Sequence, residues 1–127
     1  MQKAEKDSVS EFGFGRALHL CDKTSIQTVF QSGKKLSSRE FSLFFYPNSL
    51  SHPRICISVS KKQVSKAHCR NLIKRITRES FRLTQKTLPA YDIVVVMYKS
   101  ILLLDNKEKR RTIDAQWQRL ITFSNKA

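Results

Sequence analysis

The sequence predicts an α+β fold in a single domain, with about four strands in a mixed sheet and three helices in the order α-β-β-β-α-β-α. Three observations carry this prediction. Two short runs, 40–46 and 54–60, alternate their side chains with the period of a strand. A third run, 92–98 (DIVVVMY), is apolar almost throughout, as a strand covered on both faces must be. Between the second and third runs lies a long stretch, 66–88, whose apolar residues recur at helical spacing. Strand, helix and strand in succession suggest a parallel crossover. A chain of 127 residues suffices for one domain with a modest core.

Taken in order, residues 1–13 are polar and mixed in charge and read as a loose arm. Residues 14–123 form the folded domain and 124–127 a tail. Phe12, Phe14, Leu18 and Leu20 are candidates to tether the arm. Asp22, Lys23, Thr24 and Ser25 form a cap-like cluster ahead of Ile26, Val29 and Phe30, which share one side of a short helix. Gly33 marks its stop. Residues 34–36 read as a short strand. In 40–46, Phe41, Leu43 and Phe45 face one way and Ser42, Phe44 and Tyr46 the other. The next seven residues, PNSLSHP, are turn chemistry. In 54–60, Ile55, Ile57 and Val59 oppose Cys56, Ser58 and Ser60, and the two alternating strands are expected to pair as an antiparallel hairpin. The long helix stops near Leu88, because Pro89 disfavours helix at the residue before it. Asp105 or Asn106 can cap a last helix from 107 to about 123, in which Ile113, Trp117, Leu120 and Ile121 make one packing stripe. Trp117 is expected in the core.

The chemistry concentrates in 58–82, which holds eight basic residues against one acid, Glu79. On a helix turning about 100° per residue, Leu72, Leu83, Ile76, Cys69, Thr87, Ser80 and Ile73 fall within roughly a 100° arc, the expected core stripe. Asn71, Arg75, Arg78 and Arg82 fall on another face within about 60° of one another. Arg70 and Lys74 flank them, with Phe81 on the same side. A basic helix face is often merely solvated. Here Glu79 alone cannot neutralise the row, and Arg outnumbers Lys inside the helix, which favours bidentate contact with phosphate. The formal charge of +14 likewise points to a polyanionic partner.

Other classes fit less well. No apolar run reaches the roughly 20 residues of a spanning helix, and the first residues have no apolar signal core. The expected location is the cytoplasm. Cys21, Cys56 and Cys69 are odd in number, widely spaced and outside any CxxC, so they read as buried reduced thiols rather than zinc ligands. His19, His52 and His68 have no catalytic partners in motif context, no Gly-rich loop cradles phosphate, and no carboxylates cluster for two-metal hydrolysis. An RNA-binding protein is favoured over a nuclease acting alone. A structural RNA binder of ribosomal type and a DNA-binding module remain alternatives.

The motif Arg70-Asn71-Leu72-Ile73-Lys74-Arg75-Ile76-Thr77-Arg78-Glu79-Ser80-Phe81-Arg82 resembles the signature of the protein component of bacterial ribonuclease P, R-N-x-x-K-R-x-x-R-E-x-F-R. Val59-Ser60-Lys61-Lys62 before it, and Leu88-Pro89-Ala90-Tyr91-Asp92 after it, resemble neighbouring family segments. The resemblance runs from about Phe14 to Leu120. It implies a left-handed βαβ crossover and a role as protein subunit of an endoribonuclease whose catalyst is RNA. That RNA removes the 5′ leader of precursor tRNA with Mg²⁺, which the RNA itself mainly holds. The implied partners are the catalytic RNA and precursor tRNA, with no membrane and no small-molecule substrate. The implied RNA-binding residues are Lys61, Lys62, Lys66, Arg70, Asn71, Lys74, Arg75, Arg78 and Arg82. Ile26, Phe30 and Phe44, with Ser58 and Ser60, are implied to line a cleft for the leader. The family often has Phe where this chain has Ile26, which covers a base but stacks less well.

Overall fold

The computed structural model describes residues 19–20 and 22–126. The expected arm, its tethers Phe12, Phe14 and Leu18, and Cys21 lie outside the described residues. The elements are α1 (Lys23–Ser32), β1 (Lys34–Ser37), β2 (Phe41–Pro47), β3 (Arg54–Ser58), α2 (Ala67–Thr84), β4 (Tyr91–Met97), a 3-10 helix (Lys99–Leu103) and α3 (Asn106–Lys126). The helix–strand order is the expected one. The 3-10 turn is additional, and α3 runs on to Lys126 past the expected Phe123.

The sheet order is β1-β2-β4-β3. β4 pairs antiparallel with β2 and parallel with β3. The expected β2–β3 hairpin is therefore wrong, because β4 lies between the two strands. The physical reason is burial. Ile93, Val94 and Val95 are all buried, and a strand covered on both faces belongs in the middle of a sheet. At one end of β3–β4, Arg54 and Asp92 face each other in register. Arg54 donates from Nε and Nη2 to the two Asp92 carboxylate oxygens, at 2.9 and 2.8 Å. Asn48 Nδ2 donates to the same carboxylate at 2.9 Å, which ties the loop after β2 to the sheet.

One sheet face, carrying Phe41, Leu43, Phe45, Ile55, Ile93, Val95 and Met97, packs on α2 and α3 in the main core. The other carries Val94, Phe44, Cys56 and Val96 and is covered by α1 through Ile26 and Val29, with Leu20. Cys56 and Cys69 are only half-buried, against the full burial expected of them.

α2 forms in the expected place but with a different phase. Its buried residues are Ile73, Thr77, Ser80 and Phe81. Phe81, expected beside the basic row, is fully buried, and Leu83, expected in the core, is 60% exposed. The polar residues explain the rotation. Thr77 Oγ1 donates to Ile73 O at 2.8 Å, which lets a threonine sit inside. Trp117 Nε1 donates to Ser80 Oγ at 2.8 Å, and the Ser80 hydroxyl donates to Asp114, itself bound by Arg110. This chain fastens α3 to α2. The helix also ends earlier than expected. Thr87 N–H and Oγ1 both donate to Thr84 O at 2.9 Å and close a turn after Thr84.

Capping follows the sequence. Asp105 and Glu108 satisfy each other's backbone N–H at 3.0 and 2.8 Å, a reciprocal capping box at the start of α3. At α1, Asp22 accepts from Ser25 N–H at 2.9 Å. That backbone bond, then the Ser25 side chain, holds the Asp22 carboxyl below its ordinary value. A depressed carboxylate stabilises the fold at pH above its unfolded value, and this contribution is lost as pH falls through the folded value. Asp22→Asn is expected to flatten that acid-limb pH dependence, measured by urea unfolding between pH 5 and 2.

Gly33 ends α1 where the helix meets the sheet. A Cβ there would stand 2.4 Å from Val29 O and 2.6 Å from Phe45 O, both backbone atoms. Gly33→Ala is expected to cost about 1–3 kcal/mol, the range for forced backbone shifts, read by urea unfolding.

Candidate nucleic-acid interface

The α1 side of the sheet carries an aromatic pair, one ring exposed and the other half-buried. Phe30, 45% exposed at the end of α1, meets Phe44 of β2 edge-on with ring centroids 4.9 Å apart. Lys35 of β1, opposite Phe44 in register, places its Nζ 5.3 Å from the Phe44 ring centroid. Such a contact leaves an ammonium beside an aromatic face. Half-buried Ile26 packs against the same cluster. Next along the sheet, Ser42, Val96 and exposed Ser58 stand in one row across β2, β4 and β3. Ser42 Oγ lies 2.8 Å from Tyr98 OH. Ile26, Phe30, Phe44 and Ser58 therefore share this side of the sheet. Ser60 lies beyond β3, where its Oγ accepts from Gln63 N–H at 3.2 Å and its carbonyl from Val64 N–H at 2.9 Å. Its visible part is to shape the loop that leads to α2.

The basic residues do not form one uniform face. Lys61, Lys62 and Lys66 are exposed on that loop and at the helix start. Arg70 Nη1 donates to Val64 O and Ser65 O at 3.0 and 2.9 Å, which caps the loop where Lys66 supplies no side-chain cap. Asn71 and Arg75 are exposed and line a shallow groove with His68 and Leu72. Arg82 pairs with Glu79 one turn before it. The hydrogen bond from Arg82 pulls the Glu79 carboxyl below its ordinary value, and Glu79 raises the Arg82 guanidinium in turn. Lys74 and Arg78 point elsewhere. They are half-buried and border a hollow of about 310 Å³ with His19, Leu20, Ile26, Ile55, Cys56 and Ile57. Burial pulls the Arg78 guanidinium below its ordinary value.

Lys35 and the His19–Leu20 side of the hollow were not legible as site residues. Lys35 acquires its place only through the β1–β2 register. His19 and Leu20 acquire theirs through a parallel bridge to Ile55. Neither relation leaves a local pattern. Among the described residues no three His, Cys, Asp or Glu side chains converge to hold a metal ion, and no helix is long and apolar enough to cross a membrane.

Comparison with known proteins places this geometry. The ribonuclease P family model matches residues 14–121. The ribonuclease P protein component of Pasteurella multocida is 41% identical over 117 residues, spanning 92% of this chain and 98% of that protein. That of Serratia proteamaculans is 43% identical over 109 residues, 86% of this chain and 92% of its own. The solved RNase P protein of Thermotoga maritima superposes with a TM-score of 0.71 at 29% identity, covering 80% of this chain and 96% of that one. A Staphylococcus aureus RNase P protein mutant shares the fold with a TM-score of 0.79 at 23% identity, covering 98% of both chains.

Proposed function

This chain belongs to the ribonuclease P protein family, and from that premise we propose how its two surfaces serve the ribonucleoprotein. It is the protein subunit of an endoribonuclease that forms the mature 5′ end of tRNA. The RNA subunit carries the catalysis, and the protein binds that RNA and the leader of the precursor. Lys61, Lys62, Lys66, Arg70, Asn71, Lys74, Arg75, Arg78 and Arg82 supply the positive surface. Cations held near phosphates lower the cost of bringing two polyanions together, so fewer free ions are needed to screen them. Ile26, Phe30 and Phe44, with Ser58 beside them, line the leader site, and Ser60 supports it through its turn. Stacking on aromatic rings tolerates any base, which suits an enzyme that meets many leaders.

Mg²⁺ is assigned to the RNA subunit. The basic face does not suit a divalent cation, because ammonium and guanidinium groups repel it and offer it no oxygen ligands. Residues 14–123 are read as the working domain, acting on precursor tRNA in the cytoplasm.

The observation that carries this reading is the Phe30–Phe44 pair, with Phe30 exposed on the α1 face of the sheet, together with the exposed cations Lys61, Lys62, Lys66 and Arg75 of α2 and the loop before it. The test is cleavage of precursor tRNA by a bacterial ribonuclease P RNA at low Mg²⁺, with and without this protein. The expected result is cleavage at the mature 5′ end only when both are present. An unchanged rate, with the RNA active at high Mg²⁺, would overturn the reading in favour of a scaffold for another RNA.

A further inference from the structure

The hollow beside β3 joins two surfaces that the sequence presents as separate. β3 is an edge strand of the sheet, and Leu20 N–H donates to Ile55 O at 2.9 Å along that edge. Ile26 borders both this hollow and the cluster around Phe44. Lys74 and Arg78 belong both to the hollow and to the basic helix. Through Ile26 the hollow adjoins the Phe30–Phe44 cluster on one side and, through Lys74 and Arg78, α2 on the other.

Size and chemistry narrow what fits. About 310 Å³ lies at the lower end of small-ligand pockets. The floor is apolar, the rim holds two cations, and none of the lining residues is acidic. Among the described residues, neither Lys74 nor Arg78 has a hydrogen-bond or ion-pair partner. A half-buried guanidinium without an acceptor is costly, and a phosphate relieves that cost through paired hydrogen bonds. A purely apolar ligand would leave the cations unpaired. A bare phosphate would leave the floor uncovered. A nucleotide answers both.

We propose that this hollow seats one nucleotide of the 5′ leader, with its base or sugar on Leu20, Ile26 and Ile57 and its phosphate between Lys74 and Arg78. The proposal rests on the leader-binding reading above and divides the basic helix by function. Lys74 and Arg78 hold substrate, while Asn71 and Arg75 on the other flank hold the catalytic RNA.

The test uses the reconstituted holoenzyme and precursors in which one leader phosphate at a time is a neutral methylphosphonate. With the unsubstituted protein, one leader position is expected to weaken binding about 10-fold, the lower range for a charged hydrogen bond. Arg78→Gln and Lys74→Gln are each expected to weaken binding of the ordinary precursor and to lose sensitivity at that position. Arg75→Gln weakens assembly with the catalytic RNA but leaves the assembled holoenzyme sensitive at that position, and mature tRNA binds the Lys74 and Arg78 variants as it binds the unsubstituted holoenzyme. The proposal is overturned if Arg78→Gln stays sensitive at that position, or weakens precursor and mature tRNA equally. Equal binding of precursor and mature tRNA by the unsubstituted holoenzyme would instead sink the leader reading, and this proposal with it.

Discussion

Trp117→Ala lowers the unfolding free energy by about 3–5 kcal/mol, the range for truncating a buried aromatic. Stability of an ordinary domain is about 5–15 kcal/mol, so much of the total goes. The indole is fully buried and meets Phe81 edge-on with ring centroids 5.7 Å apart. It also donates to Ser80 Oγ, so truncation removes a partner from the chain that joins Ser80, Asp114 and Arg110. Urea unfolding followed by circular dichroism measures the loss. The alternative role for this residue, a platform for stacked bases, predicts the reverse pattern: unchanged stability and weaker RNA binding. A companion Trp117→Phe should lose less, since it keeps most of the packing and gives up the hydrogen bond.

Arg75→Ala combined with Arg78→Ala keeps the fold and costs about 100-fold in RNA affinity in all, about 10-fold in assembly with the catalytic RNA through Arg75 and about 10-fold in precursor binding by the holoenzyme through Arg78. Hydrogen bonds to charged groups are worth about 1.5 kcal/mol each at the low end, and two of them give that factor. The logarithmic salt dependence should become shallower by about one unit in each of these two equilibria, one for each phosphate that the variant no longer neutralises. Neither side chain enters the buried stripe of α2, which is Ile73, Thr77, Ser80 and Phe81. Filter binding across a salt series, with thermal melts of the free protein, separates the outcomes. Loss of the fold in the double variant would mean that these cations serve packing.

The elements were legible because each has a local cause. Alternation marks β2 and β3, the unbroken apolar run marks β4, and Asp22, Asp105 and Gly33 mark helix ends. Pairing was not legible from alternation, which says that a strand has two faces and not which strand it joins. The clue to the correct order was nonetheless present, since a run apolar on both faces cannot lie at an edge while two half-polar strands occupy the middle. The phase of α2 was misjudged because hydrophobicity alone put Leu83 inside and Phe81 outside. Thr77, left out of the expected stripe, is buried through a hydrogen bond to Ile73 one turn back, and Ser80, which the stripe included, is fastened by Trp117 and Asp114 of α3, partners remote in sequence. Part of the site was legible in the same way. Ile26, Phe30 and Phe44 do come together, as the family resemblance implied. The hollow at the β3 edge needs the bridge between His19 and Ile55, and no spacing in the chain announces it.

The strand order has a consequence for synthesis. The strand at the heart of the sheet, Tyr91–Met97, is the last of the four to leave the ribosome. Until it emerges, β2 and β3 have no common neighbour, and the row from Ser42 through Val96 to Ser58 does not exist. Pairings so distant along the chain are slow to form, and waiting strand edges invite association with other chains. A nascent chain therefore displays its cationic helix before the proposed leader cleft can form, and prolonged pausing before residue 91 should leave a species that binds RNA without distinguishing precursor from mature tRNA.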